Sequence, residues 1–100
     1  MIVVRTEFKI KYGRIKEAIV MWKEMITLMQ QIDPTRKMAL FTDMTGPAYT
    51  LIFEMEELGI MEYGHSAFIW GKNERVKELY GKFVNLCEKS ELNIFNIETS

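Results

Sequence analysis

The chain has 100 residues, 48% of them hydrophobic and 27% charged, with a formal net charge of -1 at pH 7. This length suits one domain with one core, so we expect a single domain over residues 1–100. The 13 basic and 14 acidic residues exclude the strongly basic surface typical of nucleic-acid-binding proteins. Cys87 is the single cysteine, which excludes an intrachain disulfide and a zinc site built from cysteines. With no signal peptide, no run of ~20 apolar residues and no dense Lys and Arg cluster, we predict a cytoplasmic protein without nucleic-acid or membrane partners.

The first segment alternates between two kinds of side chain. Arg5, Glu7 and Lys9 fall on one face, and the other face carries Ile2, Val4, Thr6, Phe8 and Ile10. A period of two over this length predicts a strand, which Tyr12-Gly13 ends.

From residue 14 to residue 32 the period becomes helical, and Asp33-Pro34 ends the predicted helix. The apolar stripe of this helix holds Ile15, Ala18, Ile19, Trp22, Met25, Ile26, Met29 and Ile32.

Two short runs then predict a β-hairpin. The first extends from Lys37 to Thr42 and the second from Ala48 to Met55, with the β-branched and aromatic residues that strands prefer. The connection from Asp43 to Pro47 contains Gly and Pro, which indicate a tight reversal.

The remaining chain predicts two helices and a last strand. A stripe of Leu58, Met61, His65, Phe68 and Ile69 predicts the second helix, which breaks at Gly71-Lys72-Asn73 with Asn73 as the N-cap of the third. The third helix has apolar spacing through Val76, Leu79, Tyr80, Phe83, Leu86 and Cys87, and the segment from Leu92 to Ile97 predicts a strand. The order β-α-β-β-α-α-β predicts an α+β, ferredoxin-like fold with a four-stranded antiparallel sheet.

Apolar residues on both faces of two strands predict a partner for the second face of the sheet. In the second hairpin strand one face carries Tyr49, Leu51, Phe53 and Met55, and the other carries Ala48 and Ile52. In the last strand Leu92 and Ile94 lie on one face, and Phe95 and Ile97 lie on the other. An exposed apolar patch of this size usually marks an interface, so we expect a homodimer formed through the sheet faces. The charged residues of the first strand either pair in that interface or are solvated.

The strand and turn from Arg5 to Ala18 and the hairpin from Phe41 to Glu54 resemble the dimeric α/β-barrel superfamily. The layout is similar to its NIPSNAP-like and antibiotic-biosynthesis-monooxygenase-like small proteins. The resemblance implies a homodimer whose sheets face each other across a barrel, with a pocket between sheet and helices in each subunit. It also implies diverse activities, which include cofactor-independent oxygenases, haem-degrading enzymes and isomerases, so the fold alone does not define a reaction.

His65, the only histidine, is the most plausible polar group of such a pocket, as a general base or a haem ligand. The alternative is a partly buried histidine that is satisfied by a neighbour. Glu62 and His65 form half of a di-iron signature, but no second copy exists, so we predict no metal site.

Aromatic residues supply the remaining candidates. Trp70 and Tyr63 could line a pocket or fill the core, and the predicted pocket residues beside His65 are Thr6, Tyr49, Trp22, Phe41 and Phe68. These candidates allow two functions, and we predict no cofactor for the non-catalytic one. The protein is either a non-catalytic homodimer that binds a small apolar ligand, or a cofactor-independent or haem-dependent monooxygenase-like enzyme.

Overall fold

The computed structural model describes residues 1–45 and 49–99. Its elements are, in chain order, β1 (Ile2–Ile10), α1 (Ile15–Ile32), β2 (Met38–Thr42), β3 (Thr50–Glu57), α2 (Ile60–Gly71), α3 (Glu74–Phe83), a 3-10 turn (Val84–Leu86) and β4 (Cys87–Asn96). The strands form one sheet in the order β2-β3-β1-β4, and every neighbouring pair is antiparallel. The predicted α+β class and ferredoxin-like order are confirmed. The middle of the predicted hairpin connection, with Ala48, lies outside the described residues.

Strand alternation gives the sheet two different faces. On β1 the residues Val4, Phe8 and Ile10 are buried beneath the helices, and Glu7 and Lys9 are exposed on the opposite, outer face. The register between β1 and β3 continues this division, because Val4 lies opposite Met55, Thr6 opposite Phe53 and Phe8 opposite Leu51. The helix-covered face therefore forms a continuous apolar floor under the helices.

The stripe of α1 packs on this floor as its spacing predicts. Ala18, Trp22, Met25 and Met29 recur at intervals of four and three residues, and all are buried. The Trp22 ring stacks on Phe53 with 4.6 Å between centroids. Burying one large apolar side chain contributes roughly 1.5–3 kcal/mol, so this stripe holds α1 against the sheet.

The stripe predicted for α2 is not its buried face. Its buried residues are Ser66 and Trp70, whereas Met61 and Phe68 are 84% and 61% exposed. The helix carries apolar residues on more than one side, so its periodicity does not identify which face is buried. Only the packing of the complete fold, which buries Trp70 in the core, selects one of the two faces.

The predicted boundary between the third helix and the last strand is wrong. The helix ends at Phe83, and Cys87 begins β4 rather than lying on the helix. Residues 87–91 have little intrinsic strand preference, but β4 pairs with β1 along this length, with Ser90 opposite Phe8. The ladder to a central strand therefore decides their conformation. The predicted cap is confirmed, since Asn73 Oδ1 accepts a hydrogen bond of 3.0 Å from the backbone N–H of Val76.

Candidate functional site

A cavity of about 400 Å³ lies between the helix-covered face of the sheet and all three helices. The strand residues that form its floor are Val4, Thr6, Phe8, Phe53, Met55 and Leu92. The first five belong to β1 and β3, the central strands, and Leu92 belongs to the edge strand β4. The helices leave Leu92 and Ile94 of this edge 47% and 39% exposed, so the cavity opens toward the β4 side.

Helix α1 forms the inner wall and α2 forms part of the mouth. Trp22, Met25 and Met29 line the cavity from α1. On α2, Ala67 and Gly71 line it one helical turn apart. The methyl group of Ala67 and the missing side chain of Gly71 leave space at the mouth that a longer side chain would occupy, and a Cβ built on Gly71 would meet no atom within 4 Å.

The indole N–H of Trp22 is an unsatisfied donor in this wall. Trp22 is only 5% exposed, and its Nε1 has no hydrogen-bond acceptor among residues 1–45 and 49–99. A buried donor left without an acceptor costs ~1–3 kcal/mol. Trp22 also lines the cavity, so an acceptor atom on a bound molecule could satisfy it.

Two tyrosines, Tyr63 and Tyr80, line the same cavity and carry neutral hydroxyl groups. Burial raises the pKa of Tyr63 above its usual value, and the negative charge of Glu57 adds to this shift. Burial likewise raises the pKa of Tyr80. Both hydroxyls are therefore protonated near neutral pH and can donate or accept a hydrogen bond.

Lys77 of α3 is the only charged residue in the lining, within the part of the chain that the structure describes. It is exposed to solvent and joins no ion pair with a described residue. The cavity therefore combines an apolar interior with a positive charge at one side of its opening.

A buried ion pair lies at the end of β3, behind Tyr63. Glu57 is fully buried, and its Oε1 lies 2.8 Å from Nη1 of Arg36. The N–H groups of Arg36 do not point at this oxygen, so the contact is an ion pair without a hydrogen bond. Neither oxygen of Glu57 has a hydrogen bond from a described residue. Arg36 also contacts Asp33 at 3.0 Å. The hydrogen bond from Thr35, followed by the charge of Arg36, lowers the pKa of Asp33.

The structure brings two of the six predicted pocket residues into the cavity. Thr6 and Trp22 line it, whereas His65, Phe68, Phe41 and Tyr49 do not. His65 lies two residues, or about 200° of helical rotation, from Tyr63, so it is exposed on the far side of α2. Phe68 lies on that far side too, beneath the Lys72 ammonium at 4.3 Å.

The other two residues lie elsewhere on the sheet. Phe41 is in register with Ile52 on the outer face. Tyr49 is half-buried near the end of the sheet and packs against Tyr12 with 5.4 Å between ring centroids.

Several cavity residues carry no signal in the sequence. Lys77 is one of many solvent-facing lysines by spacing, and Ala67 and Gly71 are conspicuous only for their small size. Tyr63 and Trp70, seven residues apart, share a helical face, which is the spacing that could have identified the inner side of α2.

No helix of the described ranges is long and apolar enough to cross a membrane. No known family profile matches the chain, and no curated protein matches it.

Several solved structures share this fold. A NIPSNAP family protein from Agrobacterium tumefaciens superposes with a TM-score of 0.84 at 18% identity, covering 99% of this chain and 88% of that one. An antibiotic biosynthesis monooxygenase has a TM-score of 0.77 at 17% identity, over 99% of this chain and 100% of that chain. SnoaB, a cofactor-independent oxygenase from Streptomyces nogalater, has a TM-score of 0.76 at 9% identity, over 99% and 94%. The predicted resemblance is thus confirmed at the level of the fold.

Proposed function

We propose that this protein binds a small apolar ligand in the cavity between its sheet and its helices. The observation that carries the proposal is the unsatisfied indole N–H of Trp22, buried in the wall of an apolar cavity. A volume of about 400 Å³ falls within the range of ~300–1,000 Å³ found for ligand pockets. An aromatic ligand with one acceptor atom would contact the Trp22 and Phe53 rings and satisfy that donor.

Binding is favoured over catalysis by the chemistry of the lining. No carboxylate, imidazole or thiol lines the cavity within the described ranges. The two tyrosine hydroxyls have raised pKa values and are protonated near neutral pH, so they are poor general bases. The lining groups therefore serve to orient a ligand.

The test uses N-phenyl-1-naphthylamine, a neutral probe that fluoresces when it enters an apolar site. We expect saturable binding, with energy transfer from tryptophan, and a Kd that rises at least about tenfold in Gly71→Leu because the new side chain fills the mouth. Gly71 does not have a positive φ, so leucine fits its backbone.

Gly81→Leu is the matched control. Gly81 lies on α3 outside the cavity lining, and a Cβ there also meets no atom within 4 Å. Equal affinity for the probe in Gly71→Leu and Gly81→Leu would show that binding occurs elsewhere.

A homodimer formed through the outer face of the sheet is the second part of the proposal. Two apolar pairs lie on this face at opposite sides, Phe41 with Ile52 and Val3 with Phe95. Like charges also lie opposite each other on β1 and β4, in an acidic row of Glu7 with Glu91 and a basic row of Lys9 with Lys89. The acidic row continues the row of Phe41 and Ile52 across the sheet, and the basic row is the next one toward the end of β1.

Like charges in register are unfavourable within one sheet, and these four groups form no ion pairs with described residues. A two-fold axis that runs between the two sheets, parallel to these rows and midway between them, would place the acidic row of one copy over the basic row of the other. The pattern supports a second copy as the partner of this face.

Sedimentation velocity tests the dimer. We expect the wild type to sediment as a dimer at micromolar concentration and Ile52→Asp as a folded monomer, because a buried unpaired charge opposes association. Val20→Asp places the same charge on an exposed apolar site of α1, away from the sheet, and should remain dimeric. A wild-type monomer at this concentration would contradict the proposal.

The enzymatic alternative is a cofactor-independent oxygenase acting on the bound ligand. The fold shared with SnoaB supports it. Oxygen uptake by the protein with candidate aromatic compounds, absent in Gly71→Leu, would support this activity. A haem enzyme with a histidine ligand in the cavity is disfavoured, because His65, the one histidine, lies on the far side of α2.

A further inference from the structure

We propose that the ligand of this cavity is an aromatic acid, whose anionic group binds Lys77 at the opening while its ring lies against Trp22 and Phe53. This inference rests on the proposed ligand-binding function and adds an anionic group to the otherwise apolar ligand. Three observations support it: the lone cation of the lining, the absence of an acidic residue from that lining among the described residues, and the apolar interior.

The other cations on this side of the molecule already have partners. Arg75 binds Glu24 through two hydrogen bonds of 2.6 and 3.1 Å, and Lys82 contacts Glu78 at 3.2 Å. Lys72 lies over the Phe68 ring. Lys77 alone of these four lines the cavity, and it forms no ion pair with a carboxylate of the described residues.

The position of Lys77 on α3 also places a donor beside it. Tyr80 follows three residues later and lines the same cavity, so the two side chains share a helix face. The Tyr80 hydroxyl remains protonated near neutral pH, because burial raises its pKa. An ammonium and a neutral hydroxyl on one face can bind a carboxylate, whereas a cationic ligand would be repelled.

The interior favours a planar ring for the rest of the ligand. Trp22 and Phe53 stack with 28° between their planes, and both line the cavity. The unsatisfied N–H of Trp22 favours a second acceptor atom on the ring, deeper than the acid group. The result is an amphiphilic aromatic acid with its charge toward solvent.

A matched pair of probes separates the contribution of the charge from that of the ring. 8-Anilino-1-naphthalenesulfonate is the anionic counterpart of N-phenyl-1-naphthylamine, and the two differ only in the sulfonate. For Lys77→Met we expect the Kd of the anionic probe to rise about two- to fivefold, as for an exposed ion pair, with no change for the neutral probe. Added salt should weaken anionic binding in the wild type but not in this variant.

Lys82→Met is the control, because it removes one exposed lysine from the same helix outside the cavity. Circular dichroism checks that both variants are folded. Equal losses for both probes in Lys77→Met, or the same loss of anionic binding in Lys82→Met, would overturn the inference and leave the cavity proposal standing. Failure of both probes to bind the wild type would overturn the ligand-binding proposal itself.

Discussion

The two faces of the sheet differ in what their charged and apolar residues do, although the same strands build both. On the helix-covered face, Phe8 and Leu51 are almost fully buried, and one acidic residue of the described chain, Glu57, is fully enclosed. On the outer face, Arg5 contacts Glu54 at 3.2 Å while both remain partly exposed. The comparison shows that the covered face is organised around packing and the outer face around charge.

The difference follows from the position of the helices. Side chains of one strand alternate between the faces, so β1 contributes Phe8 to one and Lys9 to the other. The three helices cover only one face, and they leave the β4 edge partly open. The cavity therefore lies on the packed face, and the proposed dimer contact lies on the charged face.

Removing the Trp22 side chain, at the centre of the packed face, should cause the largest loss of stability. We expect Trp22→Ala to lower the free energy of unfolding by about 3–5 kcal/mol, because the indole packs against Phe8, Phe53 and Phe83. Urea denaturation followed by circular dichroism measures this loss. Val20→Ala, on the exposed side of the same helix, should change it by less than about 0.5 kcal/mol.

Breaking the buried ion pair between Arg36 and Glu57 should cause the second-largest loss of stability. Arg36→Met leaves Glu57 buried without a charged partner, and we expect a loss of about 2–3 kcal/mol because Arg36 itself is partly exposed. The double variant Arg36→Met, Glu57→Leu should recover most of this stability in the same urea assay, since no charge then remains buried. A double variant as unstable as Arg36→Met would contradict the role given to the enclosed carboxylate.

Breaking the ion pair between Arg5 and Glu54 on the outer face should cause a smaller loss of stability. In the monomer, at a protein concentration where sedimentation shows no dimer, we expect Glu54→Gln to lower stability by less than about 1 kcal/mol, because Arg5 and Glu54 are partly solvated there. High salt should reduce the difference between this variant and the wild type. A loss in the monomer as large as that of Arg36→Met would contradict the solvated position of this pair.

The smallest effect concerns the reactivity of Cys87, where β4 meets the packed face. Burial raises the pKa of this thiol from 9.0 to about 11. At pH 8 the thiolate should be about 100-fold scarcer than in an ordinary thiol, and labelling by iodoacetamide should be slower in proportion. The rate should rise with pH up to about 11 in the folded protein but level off above about 9 in urea. A folded-state plateau near pH 9 would show that the thiol is not shielded.

Local sequence patterns predict the elements that have a single apolar face. The alternation of β1 and the stripe of α1 each have one strongly apolar face, so the sequence identifies the buried side directly. The cap at Asn73 depends on a hydrogen bond three residues away, which is also local.

The sequence predicted the site only in part, because a cavity is the space that several elements leave between them. Thr6 and Trp22 were identified from their strand and helix faces. His65 was placed on the wrong side because α2 is apolar on both sides, and Lys77 has the same local context as other surface lysines.

By itself, the sequence determined the order of the elements, the antiparallel ferredoxin-like layout and the apolar floor of the sheet. These depend on period, capping and turn residues, which act over a few positions. Tertiary structure alone decided which face of α2 is buried, where β4 begins and which residues surround the cavity. Each of these depends on side chains and backbone groups that are distant along the chain, so local periodicity cannot specify them.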